Sequence, residues 1–265
     1  MSDQRPASDR RPATDPGALA GPAVLHRRSA ARTAVVWDAL RGLLEEVDHD
    51  RPASVVDIGG GTGGFAVRVA ELGHRVVVVD PSPDALAILG RRAEESGVAE
   101  LVTARQGDLA SLPGLLADLP SVDVVLCHGV LEIVEDPTSA LATLAGVLRP
   151  GGTLSLLVNQ RHAAVVTRAM AGHFTQARSL LDASAVTAGP NRRFTAAEVA
   201  EVLDRTGFDT RSTHAVRVFV DLVPSSLVDL EPGAAQALVE LERAVADRPE
   251  YLTLATQVHT LATRR

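Results

Sequence analysis

The sequence predicts an α/β protein built on a doubly wound, mostly parallel sheet, and three observations carry that reading. A β-branched pair, Val55-Val56, runs into the glycine-rich stretch Gly59 to Gly64, after which Phe65 to Leu72 takes a helical pattern: strand, tight turn, helix. Four consecutive valines, Val76 to Val79, are apolar without alternation, as a strand is when helices cover both of its faces. Strand and helix patterns then alternate as far as Val158, giving the order βαβαβαβαβ.

A chain of 265 residues is long enough for one such domain with additions. With aromatics at only 3% of a 46% hydrophobic content, Leu, Val and Ala must fill the core. All 26 basic residues are Arg, and the net charge of −7 lacks the basic footprint usual for a nucleic-acid binder. The single Cys127 excludes an intramolecular disulfide, and the first residues lack the apolar core of a secretory signal, so a cytoplasmic protein is expected. No run approaches the ~20 apolar residues of a membrane helix. One Cys and eight scattered His offer no metal-ligand spacing, and no metal is expected.

In chain order, residues 1–28 are rich in Pro, Arg, Asp and Ala without periodicity and predict a disordered arm; 29–265 form the folded domain. Ser29 to Val47 reads as a helix with Val35, Val36, Leu40, Leu43 and Leu44 on its apolar face; Trp37 reads as a core anchor. Arg32 stands where such a helix can lie across a ligand mouth. Asp80 closes the valine strand 23 residues after Asp57, a distance suited to a carboxylate that accepts hydrogen bonds from ribose hydroxyls; capping the next helix is its other use. Helix Asp84 to Ser96 and strand Leu101 to Arg105 follow, then Asp108-Leu109. Strand Val122 to Cys127 runs into His128-Gly129, at the carboxyl end where open α/β sheets place ligands. Helix Thr138 to Leu148 stops at Arg149-Pro150-Gly151-Gly152, and strand Thr153 to Val158 comes next. Residues 159–190 predict a helical insertion carrying Arg161, His162, Arg168, Met170, His173 and Phe174. Thr195 with Glu198 three residues on predicts a capping box for the helix to Thr206. Strands over Asp209 to Val220 and Tyr251 to Thr263 flank a helix from Gly233 to Asp247.

Gly59, Gly61 and Gly64 satisfy G-x-G-x-x-G, a spacing shared with dinucleotide enzymes. Asp57 with Gly59, Gly61 and Gly63 matches D-x-G-x-G-x-G, and with it the chain resembles the class I S-adenosylmethionine (SAM)-dependent methyltransferases. That resemblance implies SAM as cofactor and a Rossmann-like, seven-stranded sheet, mostly parallel with an antiparallel C-terminal edge and an insertion after the fifth strand. An acidic residue beside the glycines suits a ligand that carries an ammonium and a sulfonium. Asp108 then meets the adenine amino group or caps the next helix, Leu109 stands beside it, and His128 contacts the cofactor or packs beneath it.

A narrower likeness rests on Arg32 with Trp37, His128-Gly129-Val130-Leu131-Glu132, Leu148-Arg149-Pro150-Gly151-Gly152, His162, Gly172, Phe174, Val216-Arg217-Val218-Phe219 with Asp221, Leu241-Glu242, and Tyr251 with His259. These resemble the bacterial tRNA carboxymethoxyuridine methyltransferases, which esterify a carboxylate on a wobble uridine. The resemblance implies that Arg32 reaches the cofactor carboxylate, that Gly59, Gly60, Asp80 and His128 hold the cofactor, and that tRNA is the acceptor. A small-molecule carboxylate or hydroxyl is the alternative acceptor. A dinucleotide oxidoreductase or a non-catalytic SAM-binding protein is the reading from another class. Arg217, His162 and Arg161 are expected to position the acceptor, with a structural ion pair between Arg217 and Asp221 or Glu242 as the competing role.

Overall fold

The computed structural model describes residues 22–47, 51–181, 183, 191–224, 227–228 and 231–265. The predicted arm therefore lies outside the described residues up to residue 21, and helix α1, Pro22–Glu46, begins seven residues ahead of its expected start, with a proline in the first helical position. Seven strands follow: β1 (Ser54–Ile58), β2 (Arg75–Asp80), β3 (Val102–Gln106), β4 (Val124–His128), β5 (Thr153–Asn159), β6 (Phe208–Val216) and β7 (Gln257–Arg264). Their order in one sheet is β3-β2-β1-β4-β5-β7-β6. The first five pair in parallel, and β7 is antiparallel to both β5 and β6.

The valine run behaves as its composition requires. Val77 and Val79 join Val56, Val125 and Cys127 in a core on one face, under helices α4 (Leu112–Leu115), α5 (Pro137–Val147) and α8 (Ala196–Arg205). Val76 and Val78 join Val55, Val124 and Leu126 on the other face, under α1, α2 (Ala66–Glu71) and α3 (Pro83–Glu95). Alternate residues of each central strand are thus apolar on both sides. Trp37 is a partly buried support of the second core, and the Arg68 guanidinium lies 3.8 Å from its ring centroid.

At the amino-terminal edge of the sheet, Asp123 is fully buried between Arg51, Arg149 and the Ser54 N–H. Burial opposes its charge, but these partners hold the carboxyl down at about 2. The opposite, carboxyl edge is left for a ligand.

Two predicted strands are shorter than expected. β6 ends at Val216, because the next N–H groups turn to a side chain; Val218, Phe219 and Val220 all donate to the Glu242 carboxylate on α9 (Ala234–Val245). β7 starts at Gln257, because Pro249 opens a one-turn helix, α10 (Pro249–Leu252). The capping box forms as predicted: Glu198 N–H donates to Thr195 Oγ1 at 3.2 Å and Thr195 N–H to Glu198 Oε2 at 2.8 Å.

Candidate functional site

The β1 strand delivers Asp57 and then stops in a loop whose Gly59, Gly61 and Gly63 all hold positive φ, a region side chains avoid. Gly60 is needed for space: a Cβ there would lie 2.5 Å from Asp57 Oδ2. The Asp57 carboxyl therefore sits directly beneath the glycine loop. It is buried, and burial together with the neighbouring Asp80 pushes it up to about 7.

Asp80 ends the adjacent β2. Its Oδ2 accepts from Gly61 N–H at 3.0 Å and its Oδ1 from Ser82 N–H at 2.9 Å. Ser82, not Asp80, caps α3 by accepting from Ala85 N–H. Asp80 is thus a tether between loop and strand end, with lone pairs left over for a ligand.

Above these strand ends opens a cleft of about 580 Å³, within the range of small-ligand sites, lined on one side by Asp80, Asp108, Leu109 and Ala110 and on the other by His128 to Val130 and Ile133 to Glu135. Asp108 is exposed in the cleft wall, and its Oδ1 also accepts from the Ser111 N–H; the carboxylate is lowered by the Ser111 hydrogen bonds. Asp108 thus braces the residue that opens α4 while its carboxylate remains on the cleft side. His128 faces the cleft and is also packed: Phe65 lies edge-on at 4.9 Å, and Nε2 is 2.8 Å from Ser155 Oγ. Burial lowers its imidazole to about 4, so it is neutral near pH 7. Ser155 Oγ is also 2.8 Å from Nε2 of the fully buried His259.

A second cluster stands at the carboxyl end of β6, which runs parallel to β5 and so shares the ligand edge. Arg32 and Arg217 both pair with Asp221, at 3.2 and 2.6 Å. Arg217 is one of two non-glycine residues at positive φ among the described residues (61°), a position held by the Glu242 carboxylate under the following N–H groups. Helix α1 ties the clusters together, since Val35 and Val36 pack against Val216 and Phe65, and Phe65 packs against His128. Arg161 is engaged elsewhere, donating to Glu198 Oε1 at 3.0 Å, while His162 is exposed on α6 (Arg161–Met170).

The geometry brings Asp57, Gly59, Gly60, Gly61, Asp80, Asp108, Leu109 and His128 to one corner, with Gly63 shaping the loop. Arg32, Arg217 and Asp221 form a neighbouring group. Ser155 carries no motif, and Glu242, part of the Leu241-Glu242 match and a candidate partner of Arg217, accepts backbone N–H groups instead. Glu242 has a sequence signal for that role, since it falls on the apolar stripe Leu238, Glu242, Val245, where a carboxylate must find buried donors. Chemically, the corner suits a nucleoside that brings a cation to Asp57 and hydroxyls to Asp80. Among the described residues no group of His, Cys, Asp and Glu could hold a metal ion, and no helix is long and apolar enough to cross a membrane.

Residues 56–156 match the family described as a methyltransferase domain. The tRNA 5-carboxymethoxyuridine methyltransferase of Escherichia coli K12 is 32% identical over 235 residues, covering 87% of each chain. An uncharacterized methyltransferase of Mycobacterium bovis is 42% identical over 120 residues, 44% of this chain and 45% of that one. Among solved structures, magnesium protoporphyrin IX methyltransferase of Synechocystis with bound SAH superposes with a TM-score of 0.59 at 17% identity, covering 94% of this chain and 90% of that one, which is a likeness of fold.

Proposed function

We propose, from the premise that this chain belongs to the class I SAM-dependent methyltransferases, in the family of the tRNA 5-carboxymethoxyuridine methyltransferase, that it esterifies the carboxylate of carboxymethoxyuridine at the tRNA wobble position. The observation that carries this reading is the extent of the likeness. The E. coli relative matches across 87% of the chain, whereas the mycobacterial one matches over 44%.

SAM supplies an activated methyl group on a sulfonium. In our reading Asp80 accepts from the ribose hydroxyls, fixed for that purpose by the two backbone N–H groups that hold its oxygens. Asp57 meets the cationic end through the glycine loop, with Arg32 toward the carboxylate. Asp108 and Leu109 flank the base, and His128 with Val130 forms the opposite wall.

An acceptor carboxylate, which ordinarily titrates at about 4, is already ionised near neutrality and needs no general base. In this reading neither His128, whose imidazole burial lowers to about 4, nor the Cys127 thiol, which burial pushes far up, is called on as a base. Catalysis is then chiefly alignment and exclusion of water. Arg32 and Arg217 share one carboxylate, so the pair carries an excess positive charge with which Arg217 orients the acceptor. Arg161 acts through its hold on Glu198, which fixes the start of α6 and so the placement of His162 at the acceptor side.

The test is transfer of labelled methyl from SAM to small RNA, and separately to a metabolite extract, from a strain lacking the gene. Base-labile label in tRNA is expected. Label confined to the metabolite fraction would assign a small carboxylate acceptor, the reading favoured by the net charge of −7.

A further inference from the structure

The insertion after β5 has a charge pattern unlike the rest of the chain. Residues 161–181, which hold α6 and α7 (Phe174–Leu181), contain Arg161, Arg168, Arg178, His162 and His173 and no acidic residue, in a chain with 33 Asp and Glu. The same two helices expose the largest apolar side chains: Met170 is 73% and Phe174 70% accessible, on either side of the Ala171–His173 turn.

Arg168 and Arg193 bring like charge together beside this face, and Arg192 adjoins Arg193 in the chain. Arg193 is half-buried and makes no hydrogen bond or ion pair within bonding distance among the described residues; burial first, and then the facing charge of Arg168, hold its guanidinium below the usual range against the longer-range attraction of the buried Glu132 carboxylate. Arg192 is 4% exposed, donates from Nη2 to the Glu135 carbonyl at 3.0 Å, and leaves Nε and Nη1 without partners. Glu135 lines the cleft, so Arg192 is tied to the backbone of the cleft wall. Like charges brought together in a partly buried place, with orphaned donors, are suited to an anion supplied from outside.

We infer that the α6–α7 face with Arg192 and Arg193 is the docking surface for a single-stranded RNA loop. Phe174, backed by Met170, offers a ring on which an unpaired base stacks. Arg168 and Arg193 take an adjoining phosphate, and the neighbouring nucleotide is left over the cleft. The combination of exposed aromatic and unpaired arginines fits unpaired nucleic acid, since a free acid of low molecular weight uses neither a stacking surface nor a second phosphate contact. This rests on the tRNA reading above and names the surface that serves it.

The experiment uses the full-length chain and a fluorescent anticodon stem-loop RNA carrying carboxymethoxyuridine at the wobble position. Stem-loop binding is read by anisotropy over a salt series, SAM binding by calorimetry, and methyl transfer to the stem-loop by label. Phe174→Ala should weaken stem-loop binding by about tenfold, the scale of one lost base–aromatic stack, and Phe174→Trp should restore it. Arg193→Ala should lower the salt slope of binding by about one unit. Unchanged SAM affinity in both variants shows that they are folded. Wild-type stem-loop affinity in Phe174→Ala, with transfer by the parent enzyme intact, overturns the docking surface alone. A parent enzyme that binds the stem-loop through Phe174 but leaves it unmethylated overturns the tRNA carboxylate reading alone. No binding of the stem-loop by the parent enzyme overturns both.

Discussion

Titration of Asp57 should be visible in cofactor binding. Its carboxyl stands at about 7 in the ligand-free site because burial and Asp80 both disfavour the charge. A ligand cation placed against it reverses that balance, so binding needs, and draws out, the ionised form. At pH 7 half of the ligand-free molecules are ionised, at pH 6 about a tenth and at pH 5 about a hundredth, so linkage predicts SAM affinity about fivefold weaker at pH 6 than at pH 7 and about ninefold weaker again at pH 5. The ligand's α-amino group, which ordinarily titrates near 7.8, about the value of a free amino terminus, stays charged throughout this range. His128, lowered to about 4, stays mostly neutral. Calorimetry in buffers of different ionisation enthalpy should also show close to one proton released per SAM bound at pH 6. Asp57→Asn should bind weakly with a flat pH profile. The ligand-free protein should move the other way: a carboxyl raised on folding contributes less stability as pH rises through 7, so Asp57→Asn should melt higher at pH 8, by an amount of order 4 kcal/mol for a carboxyl raised from about 4 to about 7. Affinity independent of pH between 5 and 7, or the same slope in Asp57→Asn, would refute the role assigned to this carboxyl.

Three further outcomes are expected. Asp80→Ala should weaken SAM binding by about 1–3 kcal/mol, because it removes an acceptor and unties the Gly61 N–H, and wild-type affinity in calorimetry would exclude a ribose contact. Arg217→Ala should spare SAM binding and lower transfer; Glu242→Gln, which presents an NH2 group to backbone N–H donors, should do the same, and the double variant should be no worse than the poorer single one if Glu242 acts through Arg217. Asp123 is depressed on folding, so its contribution is present above pH 4 and lost as pH falls toward 2. Asp123→Asn should cost about 1–2 kcal/mol at pH 7, discounted because Arg51 and Arg149 are partly in water, and clearly less at pH 2, where about half of the folded carboxyl is protonated, as read by urea melts at the two pH values.

The cofactor half was legible because its signals are local. Glycines at forced backbone angles, a carboxylate at each of two strand ends and an unalternating valine strand are each consequences of one segment's own geometry. What escaped the sequence depends on segments that meet only in the fold. Pattern alone carries β6 past its true end because the apolar residues at 218–220 look extended, yet the Glu242 carboxylate takes their N–H groups. Arg161 could be marked as polar and well placed, but its engagement by Glu198 of the capping box needs α6 and α8 side by side. Asp80 is open to two uses in the sequence, and Ser82 at the cap position takes the capping one away from it.

The serine between His128 and His259 imposes a parity rule on the site. Its hydroxyl has one hydrogen and stands 2.8 Å from an imidazole nitrogen on either side. Both rings are kept neutral, so one of the two Nε2 atoms must carry its proton and the other must not. If Ser155 gives its hydrogen toward the cleft, His259 must give one to Ser155; if His128 gives, His259 must receive. The tautomer that the cleft presents to a ligand is therefore written jointly by two strands, β4 and β7, that are not neighbours in the sheet. Substituting His259 would release Ser155 from one of its two partners and leave the His128 tautomer unconstrained from that side.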